Sequence, residues 1–166
     1  MDSAISGVDS LTNQVSTIIE LDETDRKILR ELQHDGRTSF KRISDDAGVS
    51  EATVFVRVRK LQEKGVLKGF KALVDPKAVG KNLTAIVLVR AHPKIFPGML
   101  NTLKKLDDIY EIYDVTGEYY SILKIRTSGT DGLSKIIDQI GAVEGITGTE
   151  TVIVLRTVKE EFGVRI

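Results

Sequence analysis

The stretch from Ser39 to Gly65, SFKRISDDAGVSEATVFVRVRKLQEKG, decides how this chain is read. Ser39 is a good helix N-cap, and Ile43 and Ala47 follow one turn apart on one face. Gly48 stands where a helix C-terminus needs a residue free to take positive φ. Val49 is a buried-turn candidate, and Ser50 caps again. Val54, Val58 and Leu61 recur at i, i+4 and i+7, which gives a second helix one apolar stripe, and Gly65 ends it. Two short helices joined by a tight turn are the helix-turn-helix plan, whose second helix lies in the DNA major groove.

With Val54, Val58 and Leu61 turned inward, Glu51, Ala52, Thr53, Phe55, Val56, Arg57 and Lys60 are left largely outside. The first residues after Ser50 are then placed for base edges, and Arg57, Arg59 and Lys60 form a basic cluster suited to phosphate or guanine. The expected DNA-binding set is Ser39, Lys41, Ser50, Glu51, Ala52, Thr53, Phe55, Arg57, Arg59 and Lys60. An amphipathic helix with a solvated charged face is the plainer alternative. Exposed Phe55 and Val56 weigh against it, because a solvated face has little use for them.

Outside this stretch, composition sets bounds. The chain has 166 residues, with 24 Lys and Arg against 24 Asp and Glu, so the net charge is zero. A free-standing basic nucleic-acid coat is not expected, and DNA contact must come from a local patch multiplied by assembly. There is no Cys, so disulfides and thiolate metal sites are excluded; the two His, His34 and His92, are far apart in sequence. No metal site and no cofactor are expected. No apolar run reaches membrane-spanning length and the N-terminus lacks a signal-peptide pattern, so a cytoplasmic location without membrane contact is the expectation. No nucleophile–base pairing stands out, and the glycines around Gly129–Gly132 and Gly141–Gly148 lack the GK[ST] ending of a phosphate loop. An enzyme is not expected.

The flanks complete the organisation. Residues 1–20 read as an N-terminal extension, either a tail or a short helix. A helix starts at Asp22, with Ile28, Leu29 and Leu32 buried, and completes a DNA-binding domain over 21–66. Val66 to Val74 alternates as a wing or linker strand within a 67–81 linker. In a domain over 82–166, Leu83–Ala91 is a strand apolar on both faces. A helix follows with Met99, Leu100, Leu103 and Leu106 as its stripe. Strands over Ile109–Val115 and Tyr119–Ile125 come next, then a helix from Asp131 and a last strand over Thr149–Val158. The order β-α-β-β-α-β is the ferredoxin-like split βαβ, so the fold class is α+β, a winged helix-turn-helix domain followed by a ferredoxin-like one. Two helices cover only one sheet face, and the apolar residues on the other face predict a two-fold dimer.

Four segments in this order resemble the Lrp/AsnC, or feast/famine, regulators, in their archaeal form: LDETDRKILRELQHDGR at 21–37, ISDDAGVSEATVFVRVRKLQEKGVLKGF at 43–70, VTGEYYSILKI at 115–125 and TETVIVLRTVKE at 149–160. The resemblance implies a transcription regulator that dimerises through its sheet domain, assembles further to octamers, and binds an amino acid between dimers. It places the effector at Gly117, Glu118, Tyr119 and Tyr120 of one subunit and Thr149, Thr151 and Val152 of a neighbour. Many members have Asp where this chain has Tyr120, which removes a charge partner that Glu118 is placed to replace. From the residues alone, the favoured reading is plainer, with Gly117 a hairpin turn residue and Tyr119 and Tyr120 edge residues of a dimer or tetramer contact. The alternative function is an architectural DNA-binding protein that needs no effector.

Overall fold

A computed structural model describes residues 19–92 and 96–166; most of the expected N-terminal extension lies outside the described residues. The chain divides into two compact units, one ending at Lys71 and including Glu161–Ile166, the other spanning Ala72–Glu160. The last residues, expected with the second domain, pack with the first.

In the first unit, α1 (Glu23–His34), α2 (Phe40–Ala47) and α3 (Glu51–Glu63) enclose a core of Ile28, Leu29, Leu32, Ile43, Val54, Val58 and Leu61. Ile28, Ile43 and Val54 are fully buried, and burying side chains of this size stabilises by roughly 1.5–3 kcal/mol each. Each helix opens on a side-chain cap. Asp22 accepts from the Asp25 amide at 2.8 Å, Ser39 from Arg42 at 3.2 Å and Ser50 from Thr53 at 3.1 Å. Between α2 and α3, Gly48 sits at φ 69° and ψ 32°, and the Val49 amide donates back to the Ser44 carbonyl. A left-handed residue there ends α2 and starts the turn towards α3. The segment 161–166 lies along α1: the Gln33 side chain pairs with both polar groups of the Val164 backbone, at 3.1 and 2.7 Å, and Arg30 donates to the Ile166 carbonyl at 3.0 Å.

The expected strand over Val66–Val74 is absent. A strand needs a paired neighbour to satisfy its backbone groups, and among the described residues no strand pairs with this segment: Val66 and Leu67 pack on the helical core, while Phe70, Leu73 and Val74 are exposed.

In the second unit, β1 (Leu83–Ala91), β2 (Ile109–Asp114), β3 (Ser121–Thr127) and β4 (Ile146–Ile153) form an antiparallel sheet in the order β2-β3-β1-β4. α4 (Phe96–Leu103) and α5 (Thr130–Gly141) cover one face. Met99 and Leu103 of α4, with Leu133, Ile136 and Ile140 of α5, close over Ala85, Val87, Val89, Leu123 and Ile125. Leu100 and Leu106, expected in the stripe of the first of these helices, are only partly buried. β4 starts earlier and stops sooner than expected. Gly145 at φ 92° turns the chain directly into Ile146, and pairing with β1 ends at Ala85 opposite Ile153. β3 begins at Ser121, which leaves Tyr119 and Tyr120 in the loop before it.

The other sheet face carries Ile86, Leu88, Ile122 and Val152, with Val152 about half exposed. Charges flank them. Lys124 bridges Glu111 and Glu160, and Arg126 also reaches Glu160.

Candidate functional site

Two candidate sites emerge, one in each unit. On α3, Ser50 caps the helix, and its hydroxyl also lies 2.8 Å from the Thr53 hydroxyl, which fixes the first turn. Glu51 and Ala52 are exposed and Thr53 half-buried. The N-terminus of α2 adds Ser39 as cap and Lys41, whose ammonium pairs with Asp45 at 2.5 Å. That hydrogen bond raises the Lys41 pKa. Arg59 pairs with Glu63 at 2.9 Å along the helix surface. Both ion pairs are exposed and one turn long, hence worth little and exchangeable for a phosphate. Lys60 has no ion pair among the described residues. Phe55 is 56% exposed and meets the Phe40 ring edge-on, with centroids 6.3 Å apart.

Arg57 is placed differently from the expected basic cluster. Its guanidinium turns to α1, 2.5 Å from the Asp22 carboxylate and 3.2 Å from Asp25. The hydrogen bond to Asp22 is the main cause that raises its pKa, and burial opposes it only in part. Asp25 is buried, so Arg57 neutralises a carboxylate inside the three-helix unit. It ties α3 to α1 by a contact that spans 35 positions of sequence, which is why local spacing did not disclose it.

In the second unit, Gly117 takes φ 116° in the loop between β2 and β3. Next to it, Arg90 at the end of β1 gathers a polar cluster. Its Nε and Nη2 donate to Glu118 Oε1 at 3.0 and 2.7 Å. Nη2 also donates to the Tyr119 hydroxyl at 2.9 Å, and the guanidinium lies 4.5 Å from the Tyr119 ring centre. Tyr119 in turn donates to Glu150 of β4 at 2.5 Å. The Glu118 hydrogen bond holds Arg90 charged, and donation to Glu150 is the main cause that raises the Tyr119 pKa. One cation between two carboxylates, beside a glycine loop, supplies both signs of charge within a few ångströms.

Within one chain the other expected effector residues do not join this cluster. Thr149 and Thr151 pair opposite Val89 and Val87, so they point to the helix-covered face. Val152 pairs opposite Ile86 and lies on the open face. Tyr120 packs against the hydrophobic core, and its amide donates to the Val89 carbonyl at 2.9 Å. Arg90 and Glu150 were not singled out from sequence. The available signal was one charge at the end of a strand otherwise apolar on both faces.

Comparison with known proteins fits this division. The AsnC-type helix-turn-helix domain matches residues 21–62, and the Lrp/AsnC ligand-binding domain matches residues 84–164. The HTH-type transcriptional regulator FL11 of Pyrococcus horikoshii is 41% identical over 142 residues, which cover 86% of this chain and 94% of that protein. Among solved structures, E. coli AsnC superposes with a TM-score of 0.84 at 30% identity, covering 89% of this chain and all of that one. A feast or famine regulatory protein from M. tuberculosis, complexed with L-methionine, gives a TM-score of 0.83 at 29% identity and covers 89% and 100%. The chain is therefore a transcription regulator by class, with a DNA-binding helix-turn-helix domain joined to a ligand-binding sheet domain. It belongs to the Lrp/AsnC family. Among the described residues no helix is long and apolar enough to cross a membrane.

Proposed function

We propose that this protein is a sequence-specific transcription regulator whose assembly and DNA binding respond to an amino acid. The observation that carries the effector part is the Arg90 cluster. A free amino acid presents a carboxylate and an ammonium a few ångströms apart, and Arg90 with Gly117 suits the first while Glu118 and Glu150 suit the second. The complex with L-methionine of the M. tuberculosis relative supports an amino acid as the ligand class. Thr149, Thr151 and Val152 enter the site only from a neighbouring subunit, so effector binding and assembly are linked in this reading.

The sheet face with Ile86, Leu88, Ile122 and Val152 pairs two copies, and dimers associate further to octamers. DNA contacts fall to Ser39, Lys41, Ser50 to Thr53, Phe55, Arg59 and Lys60. Arg57 is reassigned to holding α3 on α1. Domain roles follow the boundaries 21–66, 67–81 and 82–166, with segment 161–166 as an accessory to the first.

Isothermal titration calorimetry against the twenty amino acids, with light scattering alongside, tests the reading. One binder that shifts the mass is expected, and Arg90→Ala abolishes its heat. A binder whose heat survives Arg90→Ala removes this site. Tyr120 favours the second reading, an architectural DNA-binding protein without an effector. Its ring is committed to the core where many relatives have an acidic partner for the ligand. No heat from any amino acid would select that reading.

A further inference from the structure

We propose that the apolar strip Ala52–Phe55–Val56 on α3 reads the 5-methyl groups of thymines in the major groove, with Phe40 as the positioning residue for Phe55. This rests on the DNA-binding reading above and names what the helix recognises.

At 100° per residue, Ala52 and Val56 lie opposite the buried stripe of Val54, Val58 and Leu61, and Phe55 lies on the flank towards α2. Val56 is 47% exposed and Ala52 is exposed. The most outward part of the recognition helix is thus apolar in its first two turns, where base edges are reached. Phe55 is exposed but not loose. Phe40, half-buried against the three-helix core, meets it at an interplanar angle of 64°. An anchored ring fixes an exposed one, so little side-chain freedom is lost on contact.

The surroundings identify the occupant. Lys41 and Arg42 open α2, while Arg59 and Lys60 follow further along α3. Lys41 and Arg59 sit in exposed pairs with Asp45 and Glu63, so the strip is rimmed by cations, two of which must exchange a carboxylate for a phosphate. Its partner carries negative charge at the rim and an apolar group in the middle. A major groove lined by phosphates offers one such group, the thymine C5-methyl. A strip with two large side chains is too small for a stable protein interface, which buries on the order of 1,000 Å² or more.

The test uses full-length protein. Duplexes are selected from a random library, and each thymine of the selected site is then replaced singly by deoxyuridine, which removes only the methyl. Wild type should lose about three- to fivefold in affinity at one or two positions, the effect of one buried methyl. Phe55→Ala and Val56→Ala should weaken binding to the thymine duplex, and at each sensitive position one of them should abolish the preference for thymine over deoxyuridine. Phe40→Leu, which keeps the core filled, should reduce the preference assigned to Phe55. If deoxyuridine costs nothing at any position, or its cost persists in both α3 variants, the proposal falls while DNA recognition stands. If the variants change mass by light scattering without altering the preference, the strip is a protein contact and the proposal falls. If no sequence is enriched at all, the DNA-binding reading falls with it.

Discussion

Substitutions at Gly48 separate two reasons for a glycine that sequence cannot tell apart. Gly48 lies at φ 69°, and a Cβ built there meets nothing within 4 Å. Its cost on substitution is therefore conformational, with no crowding. A left-handed L-residue costs roughly 1–2 kcal/mol, offset by about 0.4–1 kcal/mol from the reduced freedom of the unfolded chain. Gly48→Ala should destabilise the helical unit by about 1 kcal/mol. Gly48→Val, β-branched and more averse to positive φ, should cost about 2 kcal/mol. Gly48→Asn should cost only a few tenths, because Asn tolerates this region. Gly132 is the opposite case. Its φ is ordinary, but an added Cβ falls 3.0 Å from Thr127 Cβ, beside the start of α5. There Asn should cost more than Ala, within the roughly 1–3 kcal/mol of overpacking. Hydrogen exchange with mass spectrometry reads the two units separately, through peptides of α2–α3 and of α5. Asn better than Ala at position 48, and worse at 132, is the expected pattern. Asn no better than Ala at position 48 would refute the claim that backbone conformation alone holds Gly48, and Asn no worse than Ala at 132 would refute crowding there.

Other perturbations test single contacts. The Asp22 carboxylate is held below its ordinary value of 3.8 chiefly by the Asp25 amide, with Arg57 adding to this and desolvation opposing it. A depressed carboxylate contributes stability that is complete above its unfolded pKa and lost as pH falls through the folded value. An NMR titration should therefore place the Asp22 midpoint below 3.8 together with α1 fraying, and a midpoint at or above that value removes the cap from the account. Gln33→Ala should speed exchange of the Val164 amide roughly tenfold by removing its acceptor. Gln33→Glu, which keeps an oxygen there, should fall between, and equal rates in all three would mean the segment 161–166 is not held by Gln33.

How much was legible in the sequence follows from the range of each interaction. The three helices and their caps depend on residues three or four apart, and Asp22, Ser39, Gly48 and Ser50 announced them. The split βαβ order was legible from apolar runs. Strand ends were not, because an end is set by where the neighbour stops: Val154, Leu155, Thr157 and Val158 keep a strand-like composition, yet beyond the Ala85–Ile153 pair they lie outside β4. Val66 to Val74 failed for the same reason, as a segment with no strand paired to it among the described residues. In the candidate sites, Gly117, Glu118 and Tyr119 could be found through the resemblance. Arg90 and Glu150 could not, since only the register of β1 and β4 and the reach of Tyr119 bring them together. The pairing of Arg57 with Asp25 and Asp22 was not legible, because these partners lie 32 and 35 positions earlier.

The pairing of charges on the helical unit bears on how it holds DNA. Lys41 is matched by Asp45, Arg59 by Glu63, and Arg57 by Asp22 and Asp25. A cation already beside a carboxylate gains less from a phosphate, because the displaced carboxylate must be rehydrated and remains near the negatively charged backbone. Counting basic residues on α2 and α3 therefore overstates the phosphates neutralised per head. Each neutralised phosphate contributes about −0.9 to the slope of log K against log salt. The slope per head should be shallower than the basic count implies, and Asp45→Asn or Glu63→Gln should steepen it by freeing Lys41 or Arg59. Filter binding or fluorescence anisotropy at several salt concentrations measures it. An unchanged slope in both variants would show that these cations lie away from the duplex. A steeper slope would mean that the acidic partners restrain nonspecific binding, so that a single head stays weak and occupancy depends on assembled heads together with the uncharged contacts of α3.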